Sequence, residues 1–430
     1  MAEAMTEESE PRSGPVTDPL RVLFIDHSVG FGGSSKSLSL MLRGLSGIEA
    51  HILTAQDPEV LARWFGSARL HRFRRLCNYR NAWLLQEWLD QHGVSSWARW
   101  LMLKAYAAAE LLGSFITLAR IGLLTSTRRI DVLHLNNGFV PEEAFWAARL
   151  YGLPLVVHMR GMPPASLSRR MVERSRKADR VIAVSSAVKN ALVPSVLDDE
   201  IVVVVHDPVD CELFERESRH RSDVRRELGI GEEDIAFGIF GRVTPWKGQR
   251  EFAMACLRAM DEEATIRPVI VGDESDTTPD YLASLHTQIE ASRHASRFIF
   301  TGYREEVERV YAAMDVVVHA SISAEPFGMV VPEAMMAGRP VIAVAEGGPL
   351  DVVEPEVDGL LVPPRDVKAL SAAMVRLAQD SELRRRMGQA GPPKVRQRFD
   401  IQSSARGVAA LYRDLLEDEV PATADVVQPD

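Results

Sequence analysis

The chain has 430 residues, of which 46% are hydrophobic and 26% charged, the composition of a soluble globular protein with two or three domains. A disordered or collagen-like chain is thereby excluded. Cys77, Cys211 and Cys256 lie far apart, so we expect neither a disulfide framework nor a structural zinc site, and a reducing cytoplasm fits best. The formal net charge of −10 argues against a protein whose whole surface binds nucleic acid.

Short apolar runs alternate with helical patterns from residue 21 onward, which predicts parallel sheets covered by helices on both faces. The first set of predicted strands covers residues 21–25, 50–53, 132–135, 155–157, 180–184 and 201–205. A second set covers residues 235–240, 267–271, 298–300, 316–319, 340–344 and 359–362. The sequence therefore predicts an α/β protein with two doubly wound domains, at residues 19–208 and 209–395, and a C-terminal helix at 396–420.

Both ends of the chain are predicted to be disordered tails. Residues 1–18 are acidic and contain prolines, and they include no apolar stretch like that of a secretory signal. We expect residues 421–430 to be disordered as well.

The segment from residue 62 to residue 130 differs in charge from the rest of the chain. It contains eleven Lys or Arg residues against three acidic ones, and five of the seven tryptophans. Two interpretations stay open: an acceptor-side insertion that rests on an anionic membrane surface, or amphipathic helices that pack tryptophan into the N-terminal core. The longest uncharged apolar stretch, residues 111–119, is far shorter than the roughly 20 residues that span a bilayer, so we expect no membrane crossing.

A glycine-rich turn follows the first predicted strand. Gly30, Gly32 and Gly33 precede a helical pattern, and their amides could approach a phosphate or a sugar ring. The segment also comes within one residue of a P-loop, but Ser35, next to Lys36, stands where that motif needs a glycine, which would crowd the nest of amides. The dinucleotide fingerprint fails because its third glycine is absent. A purely structural turn remains the alternative.

Two cations follow the first predicted strand of the second domain. Arg242 and Lys247 leave its carboxyl end in a turn that Gly248 closes, and ligands of doubly wound sheets bind beyond such ends. Two cations at this place suit a pyrophosphate, although solvated surface charges would give the same pattern.

Two glutamates flank the start of a later helix. Pro332 suits the first position of this helix and Gly338 its end. Glu325 lies in the preceding loop and Glu333 in the first turn, with the amides of residues 328–330 between them. The pattern predicts an anion site with one acceptor for sugar hydroxyls and one for a ribose. For Glu333 alone, complementarity with the helix dipole is the simpler alternative.

Taken together, these blocks resemble the retaining glycosyltransferases of family 4, which have the GT-B architecture. The resemblance rests on Glu325-x7-Glu333 in the setting Glu-Pro-Phe-Gly-x-x-x-Pro-Glu-Ala-Met-x-Ala-Gly, followed by Gly347-Gly348 and Asp358-Gly-Leu-Leu-Val-Pro. Arg242 with Lys247, Val271-Gly-Asp and Thr301-Gly302 match further blocks in the right order. The first domain matches more loosely, through Gly32-Gly33 and residues 131–136.

The resemblance implies two Rossmann-like domains facing a central cleft, and transfer of a sugar from a nucleotide-diphosphate donor with retention of anomeric configuration. It implies neither a cofactor nor a metal, because Arg242 and Lys247 would neutralise the departing diphosphate. By the same resemblance, Glu333 binds the donor ribose and Glu325 contacts the donor sugar. The implied donor pocket is lined by Gly32, Gly33, Thr301, Gly302, Phe327, Gly328, Met329 and Val330.

The implied acceptor is a glycan or a lipid-linked intermediate of polysaccharide or glycoconjugate biosynthesis, reached from the cytoplasm or from the inner face of the membrane. A sugar-nucleotide epimerase of the same architecture, and a catalytically silent sugar-nucleotide-binding subunit, are the alternative functions.

One position departs from the family pattern. Many relatives carry a histidine after the first-domain strand that follows Gly-x-Pro, whereas this chain has His158 and then Arg160. We treat both as candidate catalytic residues and favour Arg160. Both share one face if the strand continues beyond Val157, and a structural role stays open for either.

Overall fold

Both predicted sets of strands form sheets. The computed structural model describes residues 18–28, 32–73, 85, 88–89, 92–163, 169–274 and 277–417. Gly30, Cys77, Trp83 and nearly all of the predicted tails lie outside these residues. Two separate sheets of parallel strands confirm the predicted α/β class. The proposed domain boundaries stay a prediction.

The N-terminal sheet has the strand order β3-β2-β1-β4-β5-β6-β7. Its strands are Leu20–Asp26 (β1), Ile48–Thr54 (β2), Arg69–Arg72 (β3), Val132–Leu135 (β4), Leu155–Met159 (β5), Arg180–Ala183 (β6) and Val202–Val204 (β7). Six of them confirm predicted strands to within two residues at either end. The edge strand β3 was not predicted, because its sequence Arg-Leu-His-Arg carries no buried apolar run.

The C-terminal sheet has the strand order β10-β9-β8-β11-β12-β13. Its strands are Ile235–Phe240 (β8), Ile266–Val271 (β9), Ile299–Gly302 (β10), Val316–His319 (β11), Val341–Val344 (β12) and Gly359–Val362 (β13). All six confirm predicted strands. The central strands are buried along nearly their whole length, as parallel strands covered on both faces must be.

The helices connect these strands and cover both sheets. Those of the first half are Gly33–Gly44 (α1), Pro58–Phe65 (α2), Ser96–Arg128 (α3), Glu142–Tyr151 (α4), Arg169–Ser175 (α5) and Ser186–Leu192 (α6). The later ones are Cys211–Glu217 (α7), Arg221–Glu227 (α8), Gln249–Ala259 (α9), Pro279–Glu290 (α10), Val307–Ala313 (α11), Val330–Met336 (α12), Pro349–Val352 (α13), Val367–Gln379 (α14), Ser381–Arg398 (α15) and Ile401–Glu417 (α16).

The last helix returns to the first sheet. Val408, Leu411 and Tyr412 of α16 share one buried cluster with Val22 and Phe24 of β1. The C-terminal end of the chain therefore covers one face of the N-terminal sheet.

Helix α3 bears on the expectation that the chain does not cross a membrane, which stays a prediction. It is 33 residues long, and an 18-residue window within it has a mean hydropathy of 1.5, so by length and composition it could cross a membrane. The uncharged stretch at residues 111–119 is only part of this helix, which also contains isolated charges such as Glu110. Only 28% of that window is buried in the protein.

In each sheet, the strand order reverses between neighbouring strands, at β1 and β4 in the first and at β8 and β11 in the second. Ligands of doubly wound sheets bind beyond the carboxyl ends of strands at such switch points. The described residues that follow β1, β4, β8 and β11 are therefore the place to look for a site.

Candidate functional site

The turns after β8 and β11 bring a cation and a carboxylate together. Lys247 Nζ donates a hydrogen bond of 2.8 Å to Glu325 Oε1, and it lies 4.4 Å from the ring centroid of Trp246. Ser321 Oγ donates to the same oxygen, and His319 Nε2 lies 3.1 Å from it. Two predicted site residues are thus in direct contact, an arrangement that the sequence analysis did not foresee.

Gly248 makes this contact possible. Its φ of +77° lies in the left-handed region, and a Cβ at this position would be 1.9 Å from the carbonyl oxygen of Ala320. Only glycine lets the turn after Lys247 pack so closely against the end of β11.

The carboxyl group of Glu325 is ionised. Burial by itself raises its pKa, but His319 and Lys247 outweigh burial, so the pKa falls below its ordinary value of 4.5. All of its hydrogen bonds within the described part of the chain reach Oε1. The other oxygen, Oε2, therefore keeps its capacity to accept hydrogen bonds from a ligand.

Arg242 precedes Lys247 in the same loop after β8. It follows Gly241 at the carboxyl end of β8, and its side chain is exposed. Its carbonyl oxygen accepts a hydrogen bond of 2.9 Å from Gln249 Nε2, which fixes the loop to helix α9.

The loop between Glu325 and α12 presents backbone amides. Gly328 has a φ of +79°, and among the residues that the structure describes the amides of Gly328, Met329 and Val330 have no hydrogen-bond acceptor. The Phe327 side chain, in contrast, is 2% exposed and packs against the rings of His206 and Phe399. Only the backbone of Phe327 can therefore contribute to a pocket.

Glu333 lies in the first turn of α12 and has two polar neighbours. Tyr311 OH donates a hydrogen bond of 2.9 Å to Oε2, and Lys36 Nζ donates one of 3.2 Å to Oε1. Lys36 also lies 3.4 Å from Glu308 Oε1. Burial raises the pKa of Tyr311 well above 10, helped by Glu333, so the phenol is a neutral donor. The contacts with Tyr311 and Lys36 therefore add to the favourable interaction of Glu333 with the dipole of helix α12.

A cavity of about 1140 Å³ runs between the N-terminal and C-terminal parts of the chain. The residues that line it include Gly32, Lys36, Tyr303 and Glu333, whereas Lys247 and Glu325 do not. Tyr303 directly follows Thr301 and Gly302 at the end of β10, and its side chain is 72% exposed. Glu333 and the end of β10 at Thr301 and Gly302 are therefore close to one cavity, and the Lys247–Glu325 pair lies outside its wall.

The two glycines at the start of α1 have space around them. Gly32 has a φ of −141°, outside the left-handed region, and a Cβ on Gly32 or Gly33 would meet no atom within 4 Å. The fold itself thus does not require glycine at either place. This observation favours close approach of a ligand over a purely structural turn.

Arg160 follows β5 and belongs to a network at the carboxyl edge of the first sheet. Its Nε donates a hydrogen bond of 3.0 Å to Asn136 Oδ1, and its Nη1 pairs with Asp207. Ser35 at the start of α1 donates a hydrogen bond to Asp26 at the end of β1. The side chain of Arg160 is buried, and its neighbours hold it in place.

The structure places His158 in the core and not in the cleft. It is 1% exposed, and its ring lies between His134 and Arg160 on the sheet face that α16 covers. Burial lowers its pKa well below 6.5, and Arg160 lowers it further, so the imidazole is neutral. Arg160 and His158 do share a face, as the spacing predicted, since Arg160 Nη2 lies 3.3 Å from His158 Nδ1.

Several site neighbours were missed by sequence reasoning. They are Lys36, Asn136, Asp207, Glu308, Tyr311, His319 and Ser321. His319 and Asn136 offered a signal, because each is a polar residue at the carboxyl end of a buried strand. Over the described residues, no group of three or more His, Cys, Asp or Glu side chains is placed to hold a metal ion.

Comparison with known proteins gives a consistent picture. The family model "Glycosyltransferase Family 4" matches residues 31–213, and "Glycosyl transferases group 1" matches residues 220–393. The D-inositol 3-phosphate glycosyltransferase of Corynebacterium glutamicum is 30% identical over 325 residues, which cover 69% of this chain and 76% of that protein. The enzyme of the same name from Kribbella flavida is 28% identical, over 72% of this chain and 78% of that protein.

Solved structures agree with the observed architecture. The Anabaena protein HepE, crystallised with UDP and glucose, superimposes with a TM-score of 0.72 at 22% identity, over 92% of this chain and all of that chain. A glycosyltransferase from Rickettsia africae superimposes with a TM-score of 0.76 at 16% identity, over 94% of this chain. The alternative of an epimerase finds no support in these comparisons. The chain belongs to the family 4 glycosyltransferases and has the GT-B fold.

Proposed function

We propose that this glycosyltransferase moves a sugar from a nucleotide-diphosphate donor to an acceptor with retention of anomeric configuration and without a metal ion. The observation that carries the proposal is the Lys247–Glu325 ion pair, followed by the amides of residues 328–330, which find no acceptor in the described part of the chain. It supplies a cation and backbone donors for a diphosphate, and a carboxylate for sugar hydroxyls, at the carboxyl edge of one sheet.

The chemistry requires charge stabilisation at the leaving group. When the bond between sugar and diphosphate breaks, negative charge grows on the diphosphate, and preorganised cations and amides stabilise that charge. Arg242 and Lys247 are the cations in this role. Lys247 already lies beside Glu325, so the groups for sugar and diphosphate are adjacent.

We assign the rest of the donor to the remaining candidate residues. Glu333 accepts hydrogen bonds from the ribose hydroxyls, and the Gly32–Gly33 turn and the Thr301–Gly302 turn flank the donor. Uridine diphosphate sugars are the first donors to test, since the HepE structures contain UDP and UDP-glucose. Guanosine diphosphate sugars form the second set.

Arg160 is the candidate for the acceptor side of the reaction. It lies at the carboxyl edge of the first sheet, held by Asn136 and Asp207. Its guanidinium would help to orient the acceptor or the transferred sugar, whereas His158 serves to fill the core behind it.

The acceptor is a glycan or a lipid-linked intermediate, and the outer surface of α3 and α4 supports the lipid-linked class. Trp97, Trp100 and Phe115 of α3 are 70%, 61% and 54% exposed, and Trp146 of α4 is 40% exposed. The rings of Phe115 and Trp146 lie 6.4 Å apart, so the exposed apolar side chains continue from one helix to the other. We name this surface, residues 97–123 of α3 with 146–150 of α4, the α3–α4 apolar face.

Charge at the α3–α4 apolar face fits an anionic membrane. Lys104, Arg120 and Arg128 are exposed on α3, and Lys104 Nζ lies 5.9 Å from the Trp100 ring centroid. Soluble monomers rarely expose large continuous apolar patches, while tryptophans with nearby cations suit the headgroup region of a bilayer. A cytoplasmic enzyme lying on the inner membrane surface is the arrangement that we propose.

The test of the function is release of nucleotide from candidate donors. UDP-glucose, other UDP-sugars and GDP-mannose are incubated with the protein in excess chelator, with and without inositol 3-phosphate or a lipid-linked sugar. Release of UDP or GDP that depends on Glu325, and not on the exposed Glu356, supports the proposal. Absence of release from every donor, with or without added magnesium, would refute it.

A further inference from the structure

Lys36 joins the two halves of the protein at one point. It lies on α1, at the N-terminal sheet, and its Nζ lies 3.2 Å from Glu333 Oε1 on α12 and 3.4 Å from Glu308 Oε1 on α11. Both carboxylates are buried, at 8% and 7% exposure. Lys36, which belongs to the incomplete P-loop pattern, therefore makes a contact that none of the proposed donor roles uses.

The charges of this cluster require Lys36. Glu308 and Glu333 share one cation, and without that cation the two buried carboxylates would repel each other. Glu333 raises the pKa of Lys36 above its ordinary value of 10.5, burial opposes this effect, and Glu308 adds to it. Lys36 is thus charged, and its ammonium group is shared by both carboxylates.

Lys36 orients the carboxylate of Glu333 and still leaves this carboxylate able to accept further hydrogen bonds. One oxygen of the carboxylate receives a hydrogen bond from Lys36 and the other receives one from Tyr311 OH. A carboxylate has about four acceptor sites, so about two remain, one on each oxygen. Two neighbouring hydroxyls, such as those of a ribose, match this remaining capacity.

We propose that Lys36 is a positioning residue for the donor, supplied to Glu333 from the opposite half of the protein. The inference rests on the proposed function of Glu333 as the ribose acceptor. Because Lys36 reaches Glu333 only when α1 lies against α11 and α12, the ribose site is complete only in the closed arrangement. Donor binding and closure of the cleft then favour each other by the same free energy.

A second ion pair across the same cleft provides a matched control. Arg63 of α2 lies 3.6 Å from Glu305 beside α11, but the two side chains are 63% and 70% exposed. Such exposed pairs contribute little to stability or orientation. Substitution of Arg63 should therefore leave both donor binding and closure unchanged.

The experiment compares Lys36→Met, Lys36→Arg, Glu308→Gln, Lys36→Met with Glu308→Gln, and Arg63→Met. Calorimetric titration with UDP and GDP measures nucleotide affinity, and small-angle scattering measures the radius of gyration. Lys36→Met should weaken nucleotide binding by about tenfold or more, equivalent to ~1.4 kcal/mol, and enlarge the radius of gyration. Arg63→Met should change neither quantity, and Glu308→Gln alone should keep most of the affinity.

The double variant separates positioning from general support of the fold. Glu308→Gln removes the repulsion between the two carboxylates that Lys36→Met exposes, so the double variant should recover part of the lost nucleotide affinity. Lys36→Arg keeps the cation and should retain most of the parental affinity. Parental affinity and radius in Lys36→Met would overturn the proposal, as would failure of both restorations. If the parent binds neither UDP nor GDP, the proposed donor is wrong. In that case an unchanged radius of gyration in Lys36→Met overturns the role of Lys36 in closing the cleft.

Discussion

Lys247 Nζ lies 2.8 Å from Glu325 Oε1, so the cation assigned to the diphosphate and the carboxylate assigned to the sugar form one ion pair at the carboxyl edge of the second sheet. Both side chains are largely buried, at 19% and 6% exposure. A diphosphate that approaches Lys247 must share it with Glu325, which places the bond between sugar and phosphate next to the carboxylate.

Glu325→Gln should reduce transfer by about a hundredfold or more while leaving nucleotide affinity nearly intact, since Glu325 is assigned to the sugar and not to the phosphates. The amide keeps the size of the side chain and can still accept a hydrogen bond from Lys247. Initial rates and calorimetric titration with UDP or GDP measure the two effects. A variant with more than about half of the parental rate would remove Glu325 from the mechanism.

Glu333→Ala should raise the donor KM more than it lowers kcat, because a ribose contact acts on ground and transition states alike. Tyr311→Phe removes one of the two hydrogen bonds that orient Glu333, and we expect a smaller change in the same direction. Steady-state kinetics over a range of donor concentrations separates the two parameters. Unchanged donor affinity in Glu333→Ala would contradict the ribose assignment.

Lys247→Met should cost about 2–4 kcal/mol in kcat/KM if its contact with the diphosphate tightens as the bond breaks. The side chain keeps much of its length, so its packing against Trp246 can persist. Kinetics in excess chelator checks the prediction and also tests whether a metal is needed. A loss that magnesium or manganese restores in the parent protein would count against the metal-free site.

The α3–α4 apolar face should bind vesicles that contain anionic lipid. Replacing Trp97 and Trp100 by Ser, or Lys104 and Arg120 by Ala, should weaken binding by about tenfold or more at low salt, since each cation near the surface contributes about 1 kcal/mol. Val357→Ser, at an exposed apolar residue of the C-terminal half, is the control.

Co-sedimentation with anionic and neutral vesicles measures this binding, while release of nucleotide in solution should hardly change. If the parent stays in the supernatant with both kinds of vesicle, the acceptor need not be lipid-linked.

The strands were predictable because each buried parallel strand is a short continuous apolar run, as in Val316–His319. The edge strand Arg69–Arg72 was not, since an edge strand needs no such run. The length of α3 was also missed, because its exposed apolar side chains do not follow the stripe of a helix that packs against a core.

The long-range contacts could not be read from the sequence. Lys36 and Glu333 are 297 positions apart, and nothing in either local pattern indicates the other. His158 entered the candidate list through its place in a motif, but its burial depends on α16, which arrives 243–259 positions later in the chain to cover the first sheet. Motifs identified residue types at strand ends, while the tertiary fold decided which of them meet.

The central claim is transfer with retention by the groups around Lys247 and Glu325, and proton NMR of donor turnover tests it most directly. The protein is incubated with an α-linked nucleotide sugar, UDP-glucose first, in excess chelator, and the anomer released to acceptor or to water is followed before mutarotation. Transfer with retention predicts an α-linked product, which the Glu325→Gln variant fails to form. A β-linked product, or equal turnover by the variant, would contradict it.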